Sequence, residues 1–402
     1  MNILFLCTYP IKDPKHGGQL RARSIVEKYR QSGHNVQVAG VIGSDHYSQE
    51  YGFSKYPGVS ILSKYINNPS LMEDYAIGMA FSQSDDLFRD LFAKITLVPD
   101  LIHVEQPWLF SFAKRYVSHA CIEAKIVYGS QNVEWRLKRE ILSTHMGVEE
   151  GIRCSNLVKK TEIEAIAGSD LILCVSQSDY DWLSTQTNAP VLLAPNGVQS
   201  WKSTENGKIE AEQITKGKEY ALYCASAHPP NVTGFFELFS SGFGSLKPDE
   251  QLVVAGSVGW SIAADSRVHQ SAKLAEKIVL AGEVSKVCLD GLLDGSKCIV
   301  LPITQGGGTN LKTAEALWSG KYVVATSVAM RGFEEFRNAQ GVFVADDEKS
   351  FKRALRNAMS SPPLQLGQME IDARRCVLWE ETLSILDQML QFLAPKMEVR
   401  NE

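Results

Sequence analysis

Short apolar runs recur along the chain, each closed by glycine, proline or polar residues and followed by a stretch with helical spacing. The first run is Asn2–Cys7, then a helical stretch over 19–31 stopped by Gly33, then a second run, Asn35–Val41. Further strand-like runs fall at 100–104, 126–131, 170–175 and 191–194. Residues 45–98 are less regular, with polar insertions at 67–74 and 82–86, and are predicted to hold short strands and helices. Residues 199–219 are polar, rich in Lys, Glu and Thr, and read as a linker. A second series follows at 220–224, 251–255, 277–281, 298–302, 321–326 and 342–345, with a helix over 349–360 and long helical periodicity over 366–393. Unbroken apolar runs bounded by turn residues are the mark of strands buried on both faces of a parallel sheet. The pattern predicts an α/β protein with two doubly wound domains, over 1–198 and 220–378, facing each other across a cleft.

Composition changes this picture little. A chain of 402 residues is too long for one ordinary core. Its net charge of −5 gives no general argument for nucleic acid as a partner. Eight cysteines are scattered without CxxC pairs or zinc spacing, and Cys7, Cys174 and Cys298 fall inside strand-like runs. That usage suggests a reducing compartment. The apolar start lacks a basic leader, and no run approaches the length of a spanning helix. The expected location is the cytoplasm, reaching at most the inner face of a membrane.

The most informative stretch is Gln305-Gly306-Gly307-Gly308-Thr309-Asn310-Leu311-Lys312-Thr313-Ala314-Glu315. It joins an apolar run to a helix that Gly320 is placed to end. Glycine lets backbone approach a ligand, and the N–H groups of a helix start favour an anion. Lys312 adds a full charge in the first turn, and Glu315 shares its face. A phosphate at Lys312 leaves Glu315 within reach of a ribose. An ordinary salt bridge between the two accounts for the same spacing.

In the first half, Gly17 and Gly18 follow the first strand, with Arg21 and Arg23 just inside the next helix. The loop is not G-x-G-x-x-G, so a nicotinamide-type dinucleotide fingerprint is absent. Glu105 and Gln106 close the run at 100–104, where ligands of parallel sheets bind, and Glu105 is a candidate acid, base or acceptor clamp. His103, inside the run, reads as a hydrogen-bonded core residue. Asn132 and Glu134 follow the next run in the same way. Around them lie Lys114, Arg115, Lys125, Lys138, Arg139, Arg153, Lys159 and Lys160, a basic stretch that suits either an anionic lipid or a phosphorylated acceptor, or else an ordinary solvated face.

Taken together these motifs resemble GT-B glycosyltransferases of the family 4-like group. The resemblance covers nearly the whole chain. It rests on Gly17-Gly18, Pro195-Asn196-Gly197-Val198, Pro229-Pro230-Asn231, Gly282-Glu283-Val284 and the stretch 306–316 followed by Gly320. It implies two Rossmann-like domains, with acceptor on the first and nucleotide sugar mostly on the second. It also implies a final segment, 379–402, crossing back to the first domain. The residues it assigns to the donor are Gly17, Gly18, Arg21, Asn231, Glu283, Val284, Gly306, Gly307, Gly308, Thr309, Asn310, Leu311, Lys312 and Glu315. Lys312 resembles the lysine on the donor diphosphate, and Glu315 the second glutamate of an E-x7-E motif that grips the ribose. The first glutamate of that motif would fall at Gly307, a departure that leaves the sugar open. Glu105 stands where many relatives carry a histidine important for transfer. With Lys312 it is the expected catalytic pair, and Glu105, Gln106, Asn132 and Glu134 are expected on the acceptor.

The activity implied is transfer of a sugar from a UDP- or GDP-sugar to a glycan or polyprenyl-linked acceptor, in surface polysaccharide synthesis, with retention of configuration. No Asp-x-Asp tract stands in a metal-binding setting, so neither a metal nor a separate cofactor is expected, and the basic stretch admits peripheral membrane contact. The rival readings are a non-catalytic GT-B binding or scaffold protein and a sugar-nucleotide epimerase.

Overall fold

The computed structural model describes residues 1–270, 275–306 and 309–393. The chain forms two compact units, Met1–Pro195 with the tail from Thr382, and Asn196–Glu381.

The first unit is built on a seven-stranded sheet of β1 (Asn2–Cys7), β2 (Asn35–Val41), β3 (Phe53–Ser54), β4 (Leu101–Glu105), β5 (Lys125–Gly129), β6 (Leu171–Cys174) and β7 (Val191–Leu193), in the order 3-2-1-4-5-6-7. Every pairing is parallel, and Phe5 stands opposite Val38 on one side and His103 on the other. The first strand is apolar throughout because helices cover both faces: Ile3 to Cys7 are all fully buried. Residues 45–98 supply β3 and the helices Val59–Leu62, Glu73–Gln83 and Asp85–Phe92. The helix Ile385–Leu393 also belongs to this unit, where Asp387 pairs with Lys28 at 2.6 Å and accepts from Ser32.

The second unit carries β8 (Glu219–Cys224), β9 (Glu250–Ala255), β10 (Ile278–Gly282), β11 (Cys298–Leu301), β12 (Tyr322–Ala325) and β13 (Val342–Val344), all parallel, in the order 10-9-8-11-12-13. Separate apolar cores fill its two faces. The helix Glu348–Ser360 shows why: Phe351, Ala354, Leu355, Ala358 and Met359 are buried at helical spacing, and Asp347 caps its start by accepting from Ser350 N at 3.0 Å. The chain enters and leaves this unit side by side, with Val198 N donating to Val377 O and Trp379 N to Val198 O.

Two expectations change. The stretch 199–219, read as a linker, contains the helix Glu205–Thr215. Its buried positions are Gly207, Ala211 and Thr215, small residues four apart. They allow close approach to the helix Lys286–Gly295, where a Cβ added at Gly291 would lie 2.0 Å from Gly207 O. On this helix the closest approach is made by glycine, and only Ile214 among its large apolar residues packs against the core, so the hydrophobic pattern is weak. The periodic tail over 366–393 is broken into Gln368–Arg374, a single 3₁₀ turn, Trp379–Thr382 and Ile385–Leu393. Arg374 holds the break, buried and donating to Leu317 O at 2.9 Å and Gln340 O at 2.7 Å.

In both sheets the strand order reverses beside the first strand of the series, between β1 and β4 and between β8 and β11. Crevices beyond the carboxyl ends of strands at such points are where ligands bind in open α/β sheets.

Candidate functional site

At the reversal point of the second sheet, the loop after β8 and the turn after β11 come together. Gly234, on the helix Pro229–Phe239, has no room for a side chain: a Cβ there would sit 2.0 Å from Pro302 O. That approach brings Asn231 to the turn. Its Nδ2 donates to Ser226 O at 2.9 Å, and its Oδ1 accepts from Lys312 Nζ at 3.3 Å. Lys312 opens the helix Leu311–Trp318, whose N-cap Asn310 accepts from Lys312 N at 3.2 Å. Thr309 Oγ1 accepts from Asn196 Nδ2 at 2.9 Å, and Thr313 donates to Ala329 O at 2.6 Å, so the start of the helix is anchored at two points. Gly306 has φ +119°, which only glycine adopts easily. Gly307 and Gly308 lie outside the described residues.

Lys312 and Glu315 are half-buried, and no ion pair joins them among the described residues. The helix salt bridge that would have explained their spacing is therefore not formed. Burial lowers the Lys312 ammonium from its ordinary value, against Cys224 and Glu315, and burial raises the Glu315 carboxyl, against Lys286. Glu315 makes no side-chain hydrogen bond among the described residues. An ammonium held only by an amide oxygen, and a carboxyl without a donor, are groups suited to an added ligand. His228 sits close enough to Lys312 for its imidazole to be lowered, by burial and then by that charge. Glu283 is exposed, and Val284 packs partly into the core.

The reversal point of the first sheet is occupied by protein groups. Arg21 and Glu105 are each 1% exposed. Arg21 Nε lies 3.3 Å from Glu105 Oε1, and its Nη1 donates to Ala194 O at 2.7 Å. Glu105 also accepts from Gln131 Nε2 at 2.8 Å and meets His103 Nε2 at 2.8 Å, while His103 Nδ1 meets the Tyr29 hydroxyl at 2.7 Å. Burial alone would raise the Glu105 carboxyl, but His103 and Arg21 hold it below its ordinary value. Gly129 completes the packing, since a Cβ there would fall 2.1 Å from Glu105 Oε2. This corrects the expectation for two residues. Glu105 does not present a free carboxylate to an acceptor, and Arg21 is not an open cation for a phosphate; each is the other's buried partner. His103 has the hydrogen-bonded core position expected of it. Gly17 and Gly18 start the next helix, where Gln131 Nε2 reaches Gly18 O at 3.4 Å.

Gln106, Asn132 and Glu134 are brought together beside this network. Gln106 Nε2 and Asn132 Nδ2 both donate to Glu134 Oε1, at 3.3 and 3.4 Å. Burial pushes the Glu134 carboxyl up to about 7, although Lys138 opposes the shift. Behind it stands Glu162, which the sequence reading did not single out. It accepts from Glu134 N at 2.9 Å, Trp135 N at 3.2 Å and the Tyr128 hydroxyl at 3.2 Å, and so caps the helix Glu134–Met146 where Val133 offers no capping side chain. Burial, then the neighbouring Glu134, pushes Glu162 up to about 8. A carboxylate on the buried stripe of Val158, Ala165 and Ile166 was the available signal.

Both carboxyls are raised above the ordinary range of an unfolded chain, so their contribution to stability is present at acid pH and is lost as pH rises through about 7 to 8. The urea midpoint of the first unit is expected to fall between about pH 5 and pH 8, and Glu162→Gln to flatten that fall. Equal slopes in the two proteins would show that this pair does not carry the dependence.

Residues 219–361 match the family described as Glycosyl transferases group 1. The matched segment lies within the second unit. The whole chain is similar in fold to solved structures at low identity. Sucrose-phosphate synthase from Thermosynechococcus elongatus superposes with a TM-score of 0.69 at 13% identity, over 98% of both chains. HepE from Anabaena, solved with UDP and glucose, gives 0.61 at 13% over 97% of this chain and 98% of its own. The lipopolysaccharide outer core galactosyltransferase WaaB gives 0.60 at 12% over 98% and 100%. The fold is thus GT-B, two Rossmann-like domains in one chain. No curated protein matches the sequence.

Proposed function

We propose that this glycosyltransferase moves a sugar from a UDP- or GDP-sugar to a glycan or lipid-linked glycan during surface polysaccharide synthesis, with retention and without a metal. The observation that carries the reading is the Lys312 turn. A half-buried ammonium, held by Asn231 Oδ1 at 3.3 Å and by no carboxylate among the described residues, lies in the first turn of a helix beyond β11. As a nucleoside diphosphate departs, negative charge builds on its β-phosphate. A fixed ammonium and oriented N–H groups stabilise that charge without reorganisation. Glu315, one turn along and lacking a donor, suits the ribose hydroxyls, and Gln106, Asn132 and Glu134 in the first unit suit acceptor hydroxyls. The solved complexes of HepE with UDP and glucose and with UDP-glucose support a nucleotide sugar as the donor for this fold.

Binding to the native state raises the melting temperature by linkage, so a panel of nucleotide sugars is scored by thermal shift. One UDP- or GDP-sugar is expected to stabilise the protein, and free nucleoside diphosphate to appear only when acceptor is added. Release without acceptor would favour an epimerase or hydrolase, and no release at all a binding protein. Among the described residues no group of three His, Cys, Asp or Glu is placed to hold a metal ion. Activity is therefore expected to survive EDTA, and loss restored by magnesium or manganese would overturn the metal-free mechanism. No helix among the described residues is long and apolar enough to cross a membrane, so a lipid-linked acceptor would be met from the surface.

A further inference from the structure

Half of the eight cations in the basic stretch read from the sequence are paired with acids of the first unit. Arg115 pairs with Asp85, Lys125 with Asp170, Lys138 with Asp74 and Arg153 with Glu150. Of the exposed cations left without an ion pair, Arg139 and Lys159 join Arg136, which adjoins the stretch, at one place. Arg136, Arg139 and Lys159 reach no carboxylate within ion-pair distance among the described residues, although Glu140, Glu149 and Glu164 lie on the same two helices, Glu134–Met146 and Val148–Gly168. All three gather over one half-buried indole. Lys159 Nζ lies 4.7 Å from the Trp135 ring centre, Arg136 5.5 Å and Arg139 5.8 Å. Arg136 also lies 5.2 Å from Trp182, whose ring centre is 6.3 Å from that of Trp135.

An aromatic face holds a cation's position while leaving its N–H groups unused, and each such contact is weak at an exposed site. Three like charges around one ring repel one another, and an anion between them removes that repulsion. The location narrows the anion. Trp135 and Arg136 follow Glu134 directly, and Trp182 is on the helix after β6, so the cluster stands beyond the carboxyl ends of β5 and β6, next to Asn132 and Glu134. The helix start itself is already capped by Glu162, so the cations and not the backbone define the site.

We propose that Arg136, Arg139 and Lys159, laid over Trp135 and Trp182, form an anion subsite that takes a phosphate or diphosphate group of the acceptor. This rests on the reading of the protein as a glycosyltransferase with its acceptor on the first unit, and it narrows the acceptor to a phosphorylated one. Farnesyl diphosphate and inorganic diphosphate serve as probes in calorimetric titrations, with UDP saturating so that the Lys312 turn is occupied. Both probes are expected to bind the full-length protein, and Arg136→Gln to weaken them roughly tenfold, the worth of one charge-assisted hydrogen bond. The double variant Arg136→Gln/Lys159→Gln weakens them further, while UDP affinity stays unchanged in both. Circular dichroism checks that each variant is folded, and both changes are at exposed positions.

Diphosphate binding lost in Lys312→Ala but kept in the double variant would overturn the subsite and leave the donor reading intact. Diphosphate binding at the cluster with no UDP binding anywhere would sink the donor reading and leave the subsite. If the protein sediments with phosphatidylglycerol vesicles through these three residues yet binds neither probe in solution, the cluster is a membrane contact and the proposal is wrong.

Discussion

Lys312→Ala is expected to lower kcat/KM by about 10²–10³, the usual loss when one preorganised donor to developing charge is removed. The effect falls on kcat, because the β-phosphate gains its charge only as the bond to the sugar breaks. Three features keep the ammonium in place for that moment: the Asn231 oxygen at 3.3 Å, the Asn310 cap at 3.2 Å and the anchoring of Thr313 to Ala329 O. Glu315→Ala provides the contrast. A ribose contact exists in ground and transition states alike, so its loss raises KM for the donor and leaves kcat nearly unchanged. Had the two residues formed the helix ion pair, either change would cost about 0.2–0.5 kcal/mol of stability and leave kinetics within about twofold. Steady-state rates for both folded variants decide it, and near-normal turnover in Lys312→Ala would remove the centre of the proposed mechanism.

The difference between the two units in how far they could be read from sequence has a physical origin. The Lys312 turn is local: strand, glycines, cap and helix lie within about twenty residues, and each obeys a short-range rule. The strands were legible because both faces of these parallel sheets are buried, which leaves contiguous apolar runs. The network around Glu105 is the opposite case. Arg21, His103, Gln131 and Tyr29 come from four separate elements, and nothing near Glu105 in the chain announces that a guanidinium will close on it. The same holds for the basic stretch, where Asp74, Asp85 and Asp170 arrive from other elements and leave a different, smaller set of cations unpaired. The helix Glu205–Thr215 escaped for a third reason, since its closest approach is made by glycine and only Ile214 among its large apolar residues packs against the core. Parity of charge and burial across distant segments is thus what a single sequence conceals here, and the candidate acceptor residues are drawn from that concealed part.

Glu105→Ala is expected to destabilise the first unit by about 3–5 kcal/mol, the cost of leaving one member of a buried ion pair without its partner. Arg21, whose guanidinium is 1% exposed, loses the carboxylate that it meets at 3.3 Å. His103 and Gln131 lose an acceptor as well. For a unit of this size the loss corresponds to a fall of roughly 10 °C in melting temperature. Arg21→Met introduced into Glu105→Ala removes the buried guanidinium and restores part of the loss, so the double-mutant cycle shows a large coupling. The pH dependence has a definite sign. Glu105 is held below its ordinary value in the folded state, so its contribution is present above the carboxylate range of the unfolded chain and disappears as pH falls through the folded value. Wild type therefore loses more stability than Glu105→Ala on acidification, and the two urea midpoints converge at low pH. The proposed diphosphate and ribose contacts, Lys312 and Glu315, lie in the second unit, so UDP affinity measured below the melting range is expected to stay within about twofold of wild type, a change of under about 0.5 kcal/mol. A destabilisation below about 1 kcal/mol, the range of an exposed pair, would mean that Glu105 and Arg21 are not buried partners and would return Glu105 to the role of an acceptor ligand.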